Sequence, residues 1–283
     1  MDIPYLYSNV SIEQYKKFPL VLNPSINLFL DKLAKKGCTQ MTFTRFPYYN
    51  TRLSCKSLAL KKNEGNCVAF AFYMKELLKQ YRINGYIVGA KSPEQFSRPG
   101  YREINHAAVI VPHTTGYLLF DTAFYFHKAI LLSETNSFRK SHMFKNVYSK
   151  HEDKWSFALS NNNIVVSIND EPTMAYYQLK EILNPQKSIT LHTNSADRTI
   201  FRCEINSDFT SKLYYKLNLD NSQISVASND QPYLQNNFKN FYHNGVFNKF
   251  KLKTWIYNLN LLNFQKQKIY KDVKTFFLNN EPI

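Results

Sequence analysis

Residues 65–82 read Gly65-Asn66-Cys67-Val68-Ala69-Phe70-Ala71-Phe72-Tyr73-Met74-Lys75-Glu76-Leu77-Leu78-Lys79-Gln80-Tyr81-Arg82. Phe70, Ala71, Met74, Leu77, Leu78 and Tyr81 recur at helical spacing, while Lys75, Glu76, Lys79 and Gln80 take the other side. That pattern predicts a helix over 67–82, central to the fold and largely buried. It opens on a cysteine, and the glycine just before it lets the chain turn sharply into the helix. A sulfur placed there meets the positive end of the helix macrodipole, which favours thiolate over thiol.

Two segments further along supply what such a sulfur needs to act as a nucleophile. Asn84-Gly85 turns the chain into the β-branched run Tyr86-Ile87-Val88, and residues 91–102, with Pro93, Pro99 and Gly100, read as a mobile loop. His106 then opens the apolar run Ala107-Ala108-Val109-Ile110-Val111, and Asp121 closes the run Tyr117-Leu118-Leu119-Phe120. If these runs are adjacent antiparallel strands joined across 112–116, both side chains lie near one end of a sheet and face the helix tip. Cysteine, imidazole and carboxylate then occur in the order of a nucleophile, its base and the group that orients the base.

Upstream, a short helix is expected over 11–18. A longer one follows with Asn23 as cap, Pro24 in its first turn, an apolar face of Ile26, Leu28, Phe29, Leu30, Leu33 and Ala34, and a stop at Lys35-Lys36-Gly37. The aromatic stretch 43–52, containing Phe46-Pro47-Tyr48-Tyr49-Asn50, reads as an ordered loop. Downstream, 154–159 and 163–168 read as strands, and 174–183 reads as strand or helix. Residues 200–205, 212–219 and 223–227 form a second set of strands, and a helix near 266–277 closes the chain. There is no internal repeat.

Composition narrows the class. The 283 residues are 44% hydrophobic and 16% aromatic, as expected of a folded chain with room for up to three small domains. The formal charge of +15 favours polyanionic partners, phosphorylated cofactors or acidic membranes. Its lysines are scattered along the chain, however, and no RNA-binding motif or phosphate-binding glycine loop is present, so no specific nucleic-acid partner is expected. Residues 1–10 lack the basic start and apolar core of a signal peptide, and no apolar run reaches the roughly 20 residues of a membrane span. A soluble cytoplasmic protein is expected. Cys38, Cys55, Cys67 and Cys203 form no C-x-x-C pair and no zinc spacing, so no metal is expected, and all but Cys67 read as inert buried thiols. His113 reads as a surface residue beside a turn. His127, His142, His151, His192 and His243 show no ligand spacing.

The setting of Cys67, His106 and Asp121 resembles the arylamine N-acetyltransferase family and, more broadly, the transglutaminase-like branch of papain-type folds. Chain length and triad positions are similar, and Phe46-Pro47-Tyr48-Tyr49-Asn50 loosely resembles the family's Pro-Phe-Glu-Asn segment. Where the family reads Arg-Gly-Gly-x-Cys this chain has Asn63-Glu64-Gly65-Asn66-Cys67, and where it reads Val-Gly-Phe-Gly after the Asp this chain has Thr122-Ala123-Phe124-Tyr125.

The resemblance implies an α+β fold: a papain/transglutaminase-like core with an N-terminal helical region carrying the nucleophile helix (1–84), a β-rich middle carrying His and Asp (85–190) and a small α/β C-terminal lid region (191–283). It implies a cysteine-dependent acyltransferase with Cys67, His106 and Asp121 as catalytic residues. Tyr101, Asn105, Phe124 and Tyr125, chosen by their nearness in sequence, would line the substrate pocket. No tightly bound cofactor is expected; acetyl-CoA or another acyl-CoA is the co-substrate and a small-molecule amine the acceptor. Two alternatives stand beside it: a transglutaminase-like amidase or protease using the same triad, and a non-catalytic binding protein on this scaffold.

Overall fold

A computed structural model describes residues 19–50, 53–91, 104–133, 140–145, 151–160, 163–170, 175–182, 199–229 and 231–280. The helix expected over 11–18 and nearly all of the loop expected over 91–102 lie outside them. The chain begins α1 (Pro24–Thr39), β1 (Thr42–Thr44), α2 (Phe46–Asn50), α3 (Cys55–Lys62), β2 (Glu64–Gly65) and α4 (Cys67–Gln80). Eight strands follow: β3 (Tyr86–Lys91), β4 (His106–His113), β5 (Gly116–Phe120), β6 (Ile130–Ser133), β7 (Lys140–Lys145), β8 (Glu152–Ser160), β9 (Asn163–Ile168) and β10 (Ala175–Ile182). The C-terminal region holds β11 (Thr199–Ile205), β12 (Ser211–Asn218), β13 (Gln223–Ser228), β14 (Leu234–Asn237), the small hairpin β15 (Tyr242–His243) and β16 (Val246–Phe247), α5 (Lys249–Tyr257) and α6 (Asn263–Asn279). The molecule is α+β, with a helical N-terminal region and a β-rich middle, as the sequence leads one to expect.

Strands β3–β10 form one antiparallel sheet in the order β6-β5-β4-β3-β10-β9-β8-β7. Alternation along its central strands divides two cores. Ile87, Val109, Val111, Leu118 and Phe120 pack in the core that contains α4, whereas Val88, Ala108, Ile110, Tyr117 and Leu119 join Phe126, Phe144, Phe157 and Tyr177 in the other. A second sheet, β14-β13-β12-β11-β1-β2, buries Leu213, Tyr215, Leu217, Ile224 and Val226 with Leu252, Ile256, Ile269, Val273 and Phe276 from α5 and α6. No helix among the described residues is long and apolar enough to cross a membrane.

Helix α1 starts as expected: the Asn23 side chain accepts from the Ile26 N–H at 2.9 Å, with Pro24 in the first turn. Near its end it lies so close to the segment after β5 that a Cβ on Gly37 would stand 2.8 Å from Thr122 Cγ2 and 3.0 Å from Met74 Sδ. From its middle, Asp31 Oδ1 accepts the Ala129 N–H at 2.9 Å. Helix α1 therefore holds residues 122–129 in place from two points.

Two expectations need correcting. Residues 46–50 are a short helix, not a loop: Thr44 Oγ1 accepts the Phe46 N–H, and Pro47 falls in the first turn, where its missing N–H costs nothing. His113 is buried, only 3% exposed. Its Nδ1 accepts the Thr115 N–H at 3.2 Å, so Nε2 carries the proton and donates to the Leu132 carbonyl at 3.1 Å. Strands β4 and β5 run on to His113 and Gly116, leaving a two-residue turn that this imidazole braces.

An ion cluster joins the C-terminal region to the strand before α4. The buried Arg202 of β11 donates from Nη1 and Nη2 to Glu64 Oε2 at 2.9 and 2.7 Å, and its Nε lies 3.7 Å from Glu204 and 3.6 Å from Asp272. Lys268 and Tyr215 bind the outer carboxylates, each at 2.7 Å. Removing the guanidinium would take the shared cation from three partly buried acids and leave Glu64 without its partner. Arg202→Leu is expected to lower unfolding free energy by about 3–5 kcal/mol, the usual cost of breaking a buried pair, read as a shift in the urea midpoint with unchanged slope.

Candidate active site

The turn into α4 is built from short-range constraints. Helix α3 ends on Asn63 in the left-handed conformation (φ 51°), and Glu64–Gly65 then pairs in parallel with β1. Gly65 is required: its φ is +145°, and a Cβ there would stand 2.4 Å from Ala69 Cβ and 2.7 Å from the Tyr48 hydroxyl oxygen. Asn66, fully buried, is the helix cap. Its Oδ1 accepts the Val68 and Ala69 N–H groups at 3.1 and 3.2 Å, and its own N–H donates to the Tyr48 hydroxyl at 3.1 Å. Its Nδ2 is buried with no hydrogen-bond partner among the described residues. Cys67 is thereby fixed as the first residue of α4, 2% exposed.

The β4–β5 hairpin brings the other two groups together. Val109 pairs with Phe120 in an antiparallel register, which places His106, at the start of β4, and Asp121, just past β5, at the same end of the sheet. His106 Nε2 and Asp121 Oδ2 are 2.6 Å apart. Cys67 also acts on the ring, through its charge and a hydrogen bond. The three residues therefore form one connected cluster.

Asp121 is itself completely engaged. Its Oδ2 also accepts the Tyr177 hydroxyl of β10 at 2.5 Å, and Oδ1 accepts the Phe124 N–H at 3.1 Å. Tyr177 is fully buried and stands edge-on to the imidazole, with centroids 6.1 Å apart at 79°. On another side the Phe124 ring stacks on His106 at 4.3 Å and 27°, backed by Trp155 at 5.4 Å.

Electrostatics follow from these contacts. Burial by itself would lower the imidazole's pKa. The charges of Asp121 and Cys67, each also hydrogen-bonded to the ring, outweigh that and raise it from 6.5 to about 10. At neutral pH the ring is an imidazolium held between a carboxylate and a sulfur. The neighbouring thiol of Cys55 behaves oppositely: burial first, with the adjacent Cys67 adding to it, pushes its pKa up to about 11. Cys38 and Cys203 are also buried and held protonated, chiefly by desolvation.

Of the four residues expected near the pocket, Phe124 lies against the imidazole. Asn105 is half-buried beside it, its N–H donating to the Ala90 carbonyl at 3.2 Å. Tyr125 faces inward, 3% exposed and edge-on to Phe70 of α4. Its backbone is left-handed (φ 59°), a conformation that glycine adopts without strain, at the position where the resembled family has a glycine. Tyr101 lies outside the described residues. The sequence reading missed Tyr48, Asn66 and Tyr177. An asparagine directly before an apolar helical run is a recognisable cap signal; nothing local marks Tyr177, which lies 56 residues beyond Asp121.

No family model matches the sequence, and no curated protein matches it. Among solved structures, an arylamine N-acetyltransferase from Mycobacterium abscessus superposes with a TM-score of 0.52 over 93% of this chain and 93% of its own, at 9% identity. Arylamine N-acetyltransferase C from Bacillus anthracis gives 0.52 over 80% and 90% at 12% identity. An enzyme of the same kind from Bacillus cereus, with a Cys-His-Glu catalytic triad, gives 0.51 over 74% and 84% at 12% identity. The chain has the arylamine N-acetyltransferase fold.

Because the carboxylate sustains the imidazolium, Asp121→Asn is expected to let the Cys67–His106 pair relax to thiol and neutral ring. Alkylation of Cys67 by iodoacetamide at pH 7 should slow at least tenfold in that variant, and a few-fold in Tyr177→Phe, which loosens the carboxylate but keeps its charge. Rates equal to wild type in both would remove Asp121 from the cluster's chemistry.

Proposed function

We propose that this protein is a cysteine-dependent acyltransferase in which Cys67 carries the acyl group, His106 moves the proton and Asp121 holds the imidazole. The observation that supports it most is the hydrogen-bonded chain Asp121–His106–Cys67 at the N-terminus of α4, with the ring held protonated. An imidazolium beside a sulfur in the first turn of a helix stabilises the thiolate, the reactive form.

In this reading the thiolate attacks the carbonyl carbon of an acyl thioester such as an acyl-CoA. The oxyanion that forms is stabilised by donors at the start of α4. The Val68 and Ala69 N–H groups are already taken by Asn66 Oδ1, which leaves the buried Asn66 Nδ2 as a donor with unused capacity beside the nucleophile. Collapse breaks the thioester C–S bond, and the leaving thiolate takes the proton from His106. An amine then attacks the acyl-cysteine, gives its proton to the now neutral ring and releases the Cys67 thiolate as the amide leaves. The imidazolium is restored and the cycle balances. Asp121 keeps its charge throughout.

A second reading, transfer or hydrolysis of an amide by the same residues, draws support from the loop after Asp121. Phe124 covers the imidazole there and Tyr125 stands where the resembled family has a glycine.

Incubation with a panel of acyl-CoA thioesters followed by intact-mass analysis is expected to show one acyl adduct on Cys67, discharged by an arylamine. Cys67→Ala should form no adduct while keeping its circular dichroism spectrum. The absence of any adduct, with Cys67 instead acylated by an amide or peptide substrate, would select the second reading.

A further inference from the structure

The two most exposed large apolar side chains among the described residues are Phe250, at 77%, and Val246, at 70%. They lie four residues apart, on either side of Asn248, the cap of α5. Helix α5 buries Leu252 and Ile256 and turns Phe250, Lys253 and Tyr257 outward at helical spacing, with Lys253 over the Tyr257 ring at 5.6 Å. Exposed lysines 249 and 251 flank Phe250 directly.

These lysines are placed against the local interest of the helix. A helix N-terminus favours acidic residues, yet the first turn of α5 has none and begins Lys249-Phe250-Lys251. Residues 231–280 as a whole hold eight lysines and one acid, Asp272, and that acid is turned to Arg202 and Tyr215. Apolar tips set among lysines match a surface that is anionic at its headgroups and oily just beneath. A nucleic acid would meet the lysines equally well, but it offers nothing for an aliphatic Val246 to enter.

We propose that the β15–β16 tip and α5 form a docking surface for an anionic lipid membrane, with Val246 and Phe250 entering the headgroup boundary and Lys249, Lys251 and Lys253 meeting the lipid charge. The attachment is peripheral and does not require acyl transfer.

Sedimentation of the full chain with vesicles tests it. Binding is expected to phosphatidylcholine vesicles containing phosphatidylserine, with little to phosphatidylcholine alone, and to weaken in high salt. Neutralising each of the three lysines should cost about fivefold in partitioning. Val246→Ser with Phe250→Ser should cost at least tenfold at unchanged melting temperature. Lys249→Glu with Lys251→Glu should abolish binding while leaving the melting temperature equal or higher, since acids suit that helix end; unfolding then cannot explain the loss. Cys67→Ala should bind as wild type, which separates this result from the fate of the acyltransferase reading. No preference for phosphatidylserine overturns the proposal. So does indifference to the Val246 and Phe250 changes, or capture of single-stranded RNA by the same lysines without vesicle binding.

Discussion

A carboxylate taken out of water must be met by donors, and Asp121 is met by three that come from different parts of the chain. His106 Nε2 and the Tyr177 hydroxyl share Oδ2, while the Phe124 N–H takes Oδ1. These bonds join the start of β4, the middle of β10 and the loop after β5 at a single point. Had any one been absent, a buried charge would be left short of a partner, at a cost of a few kcal/mol. The same arrangement sets the chemistry, because the charge that needs donors is also what keeps the adjacent imidazole protonated against the pull of burial.

The surrounding fold brings the sulfur to that point. Gly65 permits an approach to Ala69 and Tyr48 that no other residue could make, Asn66 caps α4, and the Glu64–Arg202 pair ties the strand before it to β11. On the opposite flank, α1 presses Gly37 against Thr122 and binds the Ala129 N–H through Asp31. The geometry of the Cys67–His106–Asp121 cluster is therefore a property of three layers at once. A substitution in the C-terminal sheet can reach Cys67 through Glu64.

Much of this was legible in the sequence because it is local. The α4 pattern, the Asn23–Pro24 start of α1, and the paired apolar runs ending near His106 and Asp121 each depend on periodicities that a short window contains. The helix over 46–50 was not legible: its proline signals a break unless one knows that Thr44 supplies a cap and that the proline falls in the first turn. His113 looked like a turn residue because its partner, the Leu132 carbonyl, belongs to a strand 19 residues away. Tyr177 and Arg202 are long-range in the same sense. Both act through residues far along the chain, and no spacing rule connects them. Tyr125 shows the limit from the other side. A missing glycine suggests a changed backbone, yet the left-handed turn persists and the ring is accommodated inward against Phe70.

The central claim is that the imidazole of His106 is a cation at neutral pH because of the charges on either side of it. Nitrogen-15 NMR of the histidine rings across pH reads this directly. Both ring nitrogens of His106 should carry protons through the neutral range, and the ring should lose one only as the pH approaches about 10. A neutral ring titrating near the ordinary 6.5 would contradict the account.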